Sequence, residues 1–282
     1  MRIVVASGKG GTGKTLVSTS LALHWARQGQ ESCYIDADVE EPNGHLFLQP
    51  AIDATRRFTM PVPRLEGTCE ACGRCQELCA FHAILAIKGR VLVFPELCHS
   101  CGACVLACLP GVLHLAPREI GTIREGRVGS LRFIDGTLDV GEARAARLTE
   151  GVASTPCGGR VIVDAPPGTS CPAVATLRGA DIAVLVTEPT PFGLHDLGLA
   201  IRMCRSLGVP PVVVVNRSDL GGDVEAALAE FGAPVVGRIP FDPRIAVATA
   251  KGEIAIDVVP RFAETVAGIA LAVERAALEA RS

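Results

Sequence analysis

Short, continuous apolar runs alternate with longer amphipathic stretches along this chain. RIVVAS (residues 2–7) leads into TLVSTSLALHWARQG (15–29), an apolar-rich helical stretch that stops at Gly29. SCYIDAD (32–38), RVIVDAP (160–166), DIAVLVTEP (181–189), PPVVVVN (210–216) and APVVGRIP (233–240) read as further strands. Helical periodicity covers 192–207, 222–231 and 261–280. Strands that are apolar throughout fit a parallel sheet covered on both faces. Their alternation with helices predicts a doubly wound α/β fold with a mostly parallel sheet.

Residues 60–117 break this rhythm. Pro61 and Pro63 open the stretch, regular periodicity is short, and two similar cysteine runs dominate it. Residues 118–135 then read as a hairpin leading back to the main domain. The α/β domain is therefore expected to be discontinuous, 1–63 and 118–282, around an insertion at 64–117.

The insertion carries the first chemistry. Cys69, Cys72, Cys75 and Cys79 are separated by two, two and three residues, and Cys98, Cys101, Cys104 and Cys108 repeat that spacing. Each cysteine of the second run lies 29 positions after its counterpart, which marks an internal duplication. Twelve cysteines in 282 residues would suggest disulfides in a small secreted protein. Here a strand pattern begins at Arg2 and leaves no room for an export signal, so metal or redox chemistry is the better reading. The spacing is that of bacterial ferredoxins, in which three cysteines of one tight turn ligate three corners of a cubane and the fourth comes from the other run. That predicts one 4Fe-4S cluster on Cys69, Cys72, Cys75 and Cys108, and a second on Cys98, Cys101, Cys104 and Cys79. Structural zinc favours two separated cysteine pairs, which this spacing fits poorly. The chain departs from the ferredoxin pattern where Ala80 replaces the usual proline and where Pro110 stands one position late, so local turn shape and potential are expected to differ.

A second site lies near the N-terminus. Gly8-Lys9-Gly10-Gly11-Thr12-Gly13-Lys14-Thr15 sits between a predicted strand and a predicted helix, the context in which glycine N–H groups curl around phosphate oxygens. Lys14 would reach the β- and γ-phosphates, Thr15 would place its hydroxyl on Mg²⁺, and the helix would aim its N-terminal dipole at the anion. Asp36 and Asp38 follow the second strand, and Asp164 ends the strand RVIVD. Carboxylates at the C-terminal edge of such strands lie beside the phosphate site.

Lys9 goes beyond a plain phosphate loop. With IDADVEEPNG (35–44), DAPPGT (164–169) and TEPTPFGLHDL (187–197), it makes the chain resemble the deviant Walker A group of the MinD superfamily. That group includes the MinD and ParA ATPases, the nitrogenase iron protein and the Mrp-type cluster carriers. The resemblance implies an ATP-sandwich homodimer in which Lys9 reaches the partner's nucleotide. It implies a switch I in which Asp36 or Asp38 orients the attacking water or the Mg²⁺ shell. Asp164 would be the Walker B aspartate, and Gly168 in switch II would sense the γ-phosphate. Asn216 and Pro240 would lie at the adenine ring. Cys171, seven residues after Asp164, stands where the nitrogenase iron protein has a cluster ligand, but its second ligand and the paired cysteines of the Mrp-type carriers have no counterpart here. Cys33 and Cys204 read as buried, inert thiols.

Composition narrows the function. A net charge of −3 and an aromatic content of 4% argue against a nucleic-acid partner. The longest apolar runs are far short of a membrane span, and the C-terminal helical stretch has no basic stripe. A cytoplasmic protein without membrane attachment is expected. The chain reads as a slow, Mg²⁺-dependent ATPase whose nucleotide state is coupled to electron transfer to, or metal-cofactor assembly on, an acceptor protein. The alternative is a MinD/ParA-type positioning switch with structural or redox-sensing clusters.

Overall fold

The computed structural model describes residues 1–87, 90–221 and 224–280. They form two compact units, one of Met1–Arg56, Ile123–Thr137 and Ala145–Ser282, the other of Arg57–Thr122 and Leu138–Arg144. In chain order the elements begin with β1 (Arg2–Ala6), α1 (Lys14–Arg27), β2 (Ser32–Asp36), α2 (Gly44–Leu48) and β3 (Ala51–Leu65). Next come α3 (Arg74–Glu77), β4 (Ile84–Ile87), β5 (Arg90–Val93), α4 (Ala103–Leu106), β6 (Leu113–Val128) and β7 (Leu131–Leu138). The chain continues through α5 (Ala145–Ala153), β8 (Arg160–Asp164), α6 (Cys171–Leu177), β9 (Ile182–Thr187), α7 (Pro191–Ser206) and β10 (Pro211–Asn216). It ends with α8 (Val224–Phe231), β11 (Val235–Ile239), α9 (Pro243–Ala250), α10 (Ala255–Val258) and α11 (Pro260–Glu279).

Among the described residues, nine strands join in the order β11-β10-β9-β1-β8-β2-β7-β6-β3. The pairs from β11 through to β7 are parallel. Ile3, Val4 and Val5 of β1 are fully buried, as are Ala183 to Leu185 of β9, because helices cover both faces of these central strands. On one face, Val17, Leu21 and Trp25 of α1 join Phe262, Val266, Ile269 and Val273 of α11 in a single core with the sheet. The parallel arrangement aligns the carboxyl ends of β1, β2 and β8, and the loops that leave those ends carry the residues of interest.

The strands expected from apolar runs are present, each shorter by one to three residues. The helix expected over 222–231 starts at Val224, and its first two positions lie outside the described residues. The hairpin expected over 118–135 is longer, with β6 and β7 meeting at a turn on Gly129 and Ser130. The pattern gave no sign of β3, because Pro61 and Pro63 lie inside it. Both are tolerated because β3 is the edge of the sheet, where a missing N–H breaks no ladder. Among the described residues, no helix is long and apolar enough to cross a membrane.

The smaller unit shows its duplication in the backbone. Its helices α3 and α4 are each four residues long and follow Gly73 and Gly102, with φ of 82° and 74°. Ala71 and Ser100, two positions earlier, also have positive φ, at 52° and 57°. Strands β4 and β5 pair antiparallel, with Ile84 opposite Val93. A small core gathers Cys75, Ile84, Cys104 and Leu113.

Trp25 joins core packing to a polar anchor. The ring is fully buried, its Nε1 donates to Glu274 on α11 at 2.6 Å, and the Arg160 guanidinium lies 5.8 Å from the ring centroid. Trp25→Ala is expected to cost the larger unit about 3–5 kcal/mol, measured as a lowered thermal midpoint by circular dichroism.

Candidate functional site

The segment between β1 and α1 is shaped by glycines, two of which have no room for a side chain. Gly13 has φ 91°, and a Cβ there would collide with the Asn216 side chain. A Cβ on Gly8 would collide with the backbone of Asp196 on α7. Gly10 and Gly11 face open space. The loop is braced from three sides: the Ser7 hydroxyl donates to the Lys9 carbonyl at 2.7 Å, Gly168 N–H donates to the Ser7 carbonyl at 2.9 Å, and the Asn216 amide donates to the Thr12 carbonyl at 2.8 Å. The Thr12 hydroxyl oxygen is buried with no partner, a polar atom that a phosphate oxygen would satisfy. Thr15 is half-buried in the first turn of α1.

Below the loop lies a compact charged group. The Lys14 ammonium, almost fully buried, bonds Asp164 Oδ1. Tyr34 Oη donates to Asp164 Oδ2 at 3.1 Å. Asp36 stands directly beside Asp164 in the β2–β8 register. It accepts from Asp38 N–H at 3.1 Å, from Asn43 N–H at 3.1 Å and from Gly44 N–H at 2.7 Å. Asp36 and Asp164 are both completely buried. Burial, and then the neighbouring Asp164 charge, push Asp36 up to about 8. Burial also raises Asp38, half-exposed at the loop, to about 6, against the pull of Lys14. Burial is the largest single influence and would lower Lys14, but the charge and hydrogen bond of Asp164 together with the charges of Asp36 and Asp38 outweigh it, and the ammonium is held above its ordinary value. The Tyr34 hydroxyl is raised by burial and by both carboxylates. While Asp36 holds its proton, Lys14 and Asp164 balance each other; a divalent cation would favour the ionised form of Asp36 and so displace that proton.

Around this centre lie residues the motifs did not reveal. Glu188, at the end of β9, accepts from Arg217 Nη1 at 2.8 Å and lies 3.5 Å from Lys9 Nζ, so the second lysine of the loop rests on a carboxylate of its own chain. A cavity of about 390 Å³ opens beside the loop and is lined by Leu16, Phe47, Asn216, Pro240, Phe241 and Ile245, among others. Asn216 is in its wall, but both ends of its amide are engaged, the oxygen accepting from Arg217 N–H at 3.0 Å. A third buried carboxylate, Asp135, lies opposite Asp36 on β7 and is bound by Arg124. Tyr34 had a visible signal, as the chain's one tyrosine inside an apolar strand. Asp135 had none, because its partner Arg124 lies across a hairpin.

The eight clustered cysteines separate into two sets. Cys69, Cys72, Cys75 and Cys108 line one cavity of the smaller unit, and Cys79, Cys98, Cys101 and Cys104 line another. Backbone N–H groups of Ala71 and Ser100 point at Cys69 Sγ (3.2 Å) and Cys98 Sγ (3.4 Å), and that of Ala83 at Cys79 Sγ (3.2 Å). Such donors stabilise thiolates. Among the described residues, no group of three or more His, Cys, Asp or Glu gathers around a single ion position. Elsewhere, Cys33 is buried as expected but is joined to Cys157, with Cα atoms 6.3 Å apart, so it is not the free thiol the sequence suggested. Cys204 is buried and its thiol is raised to about 11 by that burial. Cys171 is exposed at the start of α6.

Comparison with known proteins bears on the loop and its surroundings. The profile of the CobQ/CobB/MinD/ParA nucleotide binding domain (CbiA) matches residues 3–256. The chain is 29% identical over 249 residues to an uncharacterized protein of Methanocaldococcus jannaschii, covering 86% of this chain and 85% of that one. It is 25% identical over 280 residues to a cytosolic Fe-S cluster assembly factor, NUBP2 homolog, of Culex quinquefasciatus, covering 92% and 90%. The cell division ATPase MinD of Pyrococcus furiosus has a similar fold, with a TM-score of 0.61 at 20% identity over 97% of this chain and 98% of that one.

The raised Asp36 carboxyl gives the site a pH signature. Its ordinary value is 3.8 and its folded value about 8, so the folded state holds the extra proton between those limits. Stability from this group is therefore greatest at the acid end and is lost as pH rises through 8. Asp38 completes its own titration near 6, which leaves the upper window to Asp36. Protein free of nucleotide and magnesium is expected to show a falling thermal midpoint from about pH 6 to pH 8. In Asp36→Asn most of that slope should disappear.

Proposed function

We propose, because the chain belongs to the CobQ/CobB/MinD/ParA nucleotide-binding family, that it binds ATP with Mg²⁺ and hydrolyses it slowly, and that the nucleotide state of a homodimer is coupled to two 4Fe-4S clusters. The coupled process is electron transfer to an acceptor protein, or iron–sulfur or metal-cofactor assembly on it. The observation that carries this reading is the grouping of the cysteines. Each cavity takes three from one run and the fourth from the other, the exchange that two-cluster ferredoxins use. The Fe-S assembly factor among the chain's relatives points in the same direction.

The nucleotide chemistry follows from the charges. ATP entering the loop offers Lys14 a stronger partner than Asp164, and the ammonium moves to the β- and γ-phosphates. Asp164, with the Tyr34 hydrogen bond on one oxygen, and the Thr15 hydroxyl are the groups that would hold Mg²⁺. Mg²⁺, when bound, neutralises charge on the transferring phosphoryl group. Asp38, exposed to the loop, orients the attacking water. Gly168 N–H exchanges the Ser7 carbonyl for a γ-phosphate oxygen. Lys9 leaves Glu188 to reach the nucleotide of the second copy. Pro240 lies against the base, and Asn216 holds the loop at Thr12 while it lines the same cavity.

The clusters, when bound, supply one-electron redox chemistry. The protein contributes Cys69, Cys72, Cys75 and Cys108 to one, and Cys98, Cys101, Cys104 and Cys79 to the other. In chain order, the segment that carries them lies between Asp38 and Asp164, the two switch carboxylates. Any change that nucleotide makes in either switch acts on one root of that segment.

Lys14→Ala is expected to lower ATP turnover at least about 100-fold, since it removes a charge that stabilises the transition state; turnover like wild type would refute the assignment. Anaerobically prepared protein should hold about eight irons per chain. Cys108→Ala should lose the same electron paramagnetic resonance signal as Cys69→Ala, and retain the one that Cys79→Ala loses. In the wild type, a shift of cluster potential with nucleotide favours gated electron transfer. Loss of cluster to an acceptor without such a shift favours delivery.

A further inference from the structure

The short helix α2 touches three parts of the larger unit at once. Its first N–H, at Gly44, donates to Asp36 Oδ2 at 2.7 Å. A side chain at Gly44 would collide with Tyr34 Oη and come within 2.9 Å of Asp36 Oδ2, so this end is anchored tightly. Three residues on, Phe47 lines the nucleotide cavity. Between them, His45 turns Nδ1 toward Asp135 Oδ2 and stops 4.0 Å away. That separation is too long for a hydrogen bond. His45 Nδ1 is buried and has no partner, so the contact is left open at a point where leaving it open is unfavourable.

Asp135 is held from its other side. It is fully buried at the end of β7, and Arg124 of β6 binds it with two N–H groups, Nε to Oδ1 at 2.9 Å and Nη2 to Oδ2. β6 is one continuous strand from Leu113 to Val128, and Leu113 at its start lines the cavity of Cys69, Cys72, Cys75 and Cys108. The carboxylate that His45 fails to reach is therefore bonded to a strand that continues to a cysteine-lined cavity.

We propose that nucleotide filling the cavity displaces Phe47 and turns α2 about its Gly44 anchor, closing His45 onto Asp135. Through Arg124, Asp135 passes the change to β6. His45 is thus a positioning residue: it lines neither the cavity beside the loop nor either cysteine-lined cavity, and sets the state of the strand that continues between them. The inference rests on the coupling proposed above and names the element that performs it.

The test compares cluster-loaded wild type, His45→Ala and His45→Gln, each with and without a non-hydrolysable ATP analogue. Hydrogen exchange of residues 113–122 and the cluster potentials are measured. Wild type is expected to show a nucleotide-dependent change in both. His45→Ala should lose both changes while analogue affinity stays within about twofold of wild type, since the ring does not line the cavity beside the loop. His45→Gln keeps a side-chain donor and should restore part of the response, which a purely structural role would not predict. A full response in His45→Ala overturns this inference and leaves the coupling intact. No response in wild type overturns the coupling itself, and this inference with it.

Discussion

Two carboxylates side by side in a dry interior, Asp36 and Asp164, are the constraint on which this structure turns. They are adjacent because β2 and β8 are neighbours in a parallel sheet with Asp36 opposite Asp164. Alone, the pair would be strongly repulsive. Lys14 neutralises part of it, and three backbone N–H groups and one phenol fill the remaining acceptor sites. Every element that meets the pair is fixed by it. The start of α1 supplies the ammonium, the loop after β2 folds back so that Asn43 and Gly44 can donate, and Tyr34 must lie inside the sheet. With Asp36 holding its proton, Lys14 and Asp164 balance, and the raised Asp36 carboxyl records how costly a second negative charge is at this place.

How much of this the chain discloses depends on whether a feature is local. The apolar runs of β1, β8, β9 and β10 are contiguous in sequence, so their type is legible, and the glycines of the phosphate loop are contiguous as well. The cysteine runs are legible for the same reason, with the added help of an exact repeat. What stays hidden is created by register or by the sheet edge. Asp135 acquires meaning from lying across from Asp36. Glu188 acquires it from the approach of Lys9 and Arg217. β3 looks like a loop because its prolines would break any interior strand, and only its place at the edge makes them harmless. Cys33 and Cys157 lie 124 residues apart, a separation that no spacing rule reads.

The smaller unit shows how a repeat can serve a site that neither copy completes. Each half contributes a left-handed turn and a four-residue helix, and each sends its fourth cysteine away from its own cavity. Neither cavity exists without both halves. The exchange also packs the two runs together around Ile84 and Leu113, against which Leu65, Val91, Val93 and Val105 pack.

The prolines of β3 have one more effect. A strand at the end of a sheet normally presents unpaired N–H and C=O groups that a second chain can join. At Pro61 and Pro63 that row of donors is interrupted twice within three residues. Growth of the sheet from one molecule into the next is hindered at this end of the strand. Across these two prolines a neighbouring chain would meet side chains and loops, since no continuous hydrogen-bond ladder can run past them.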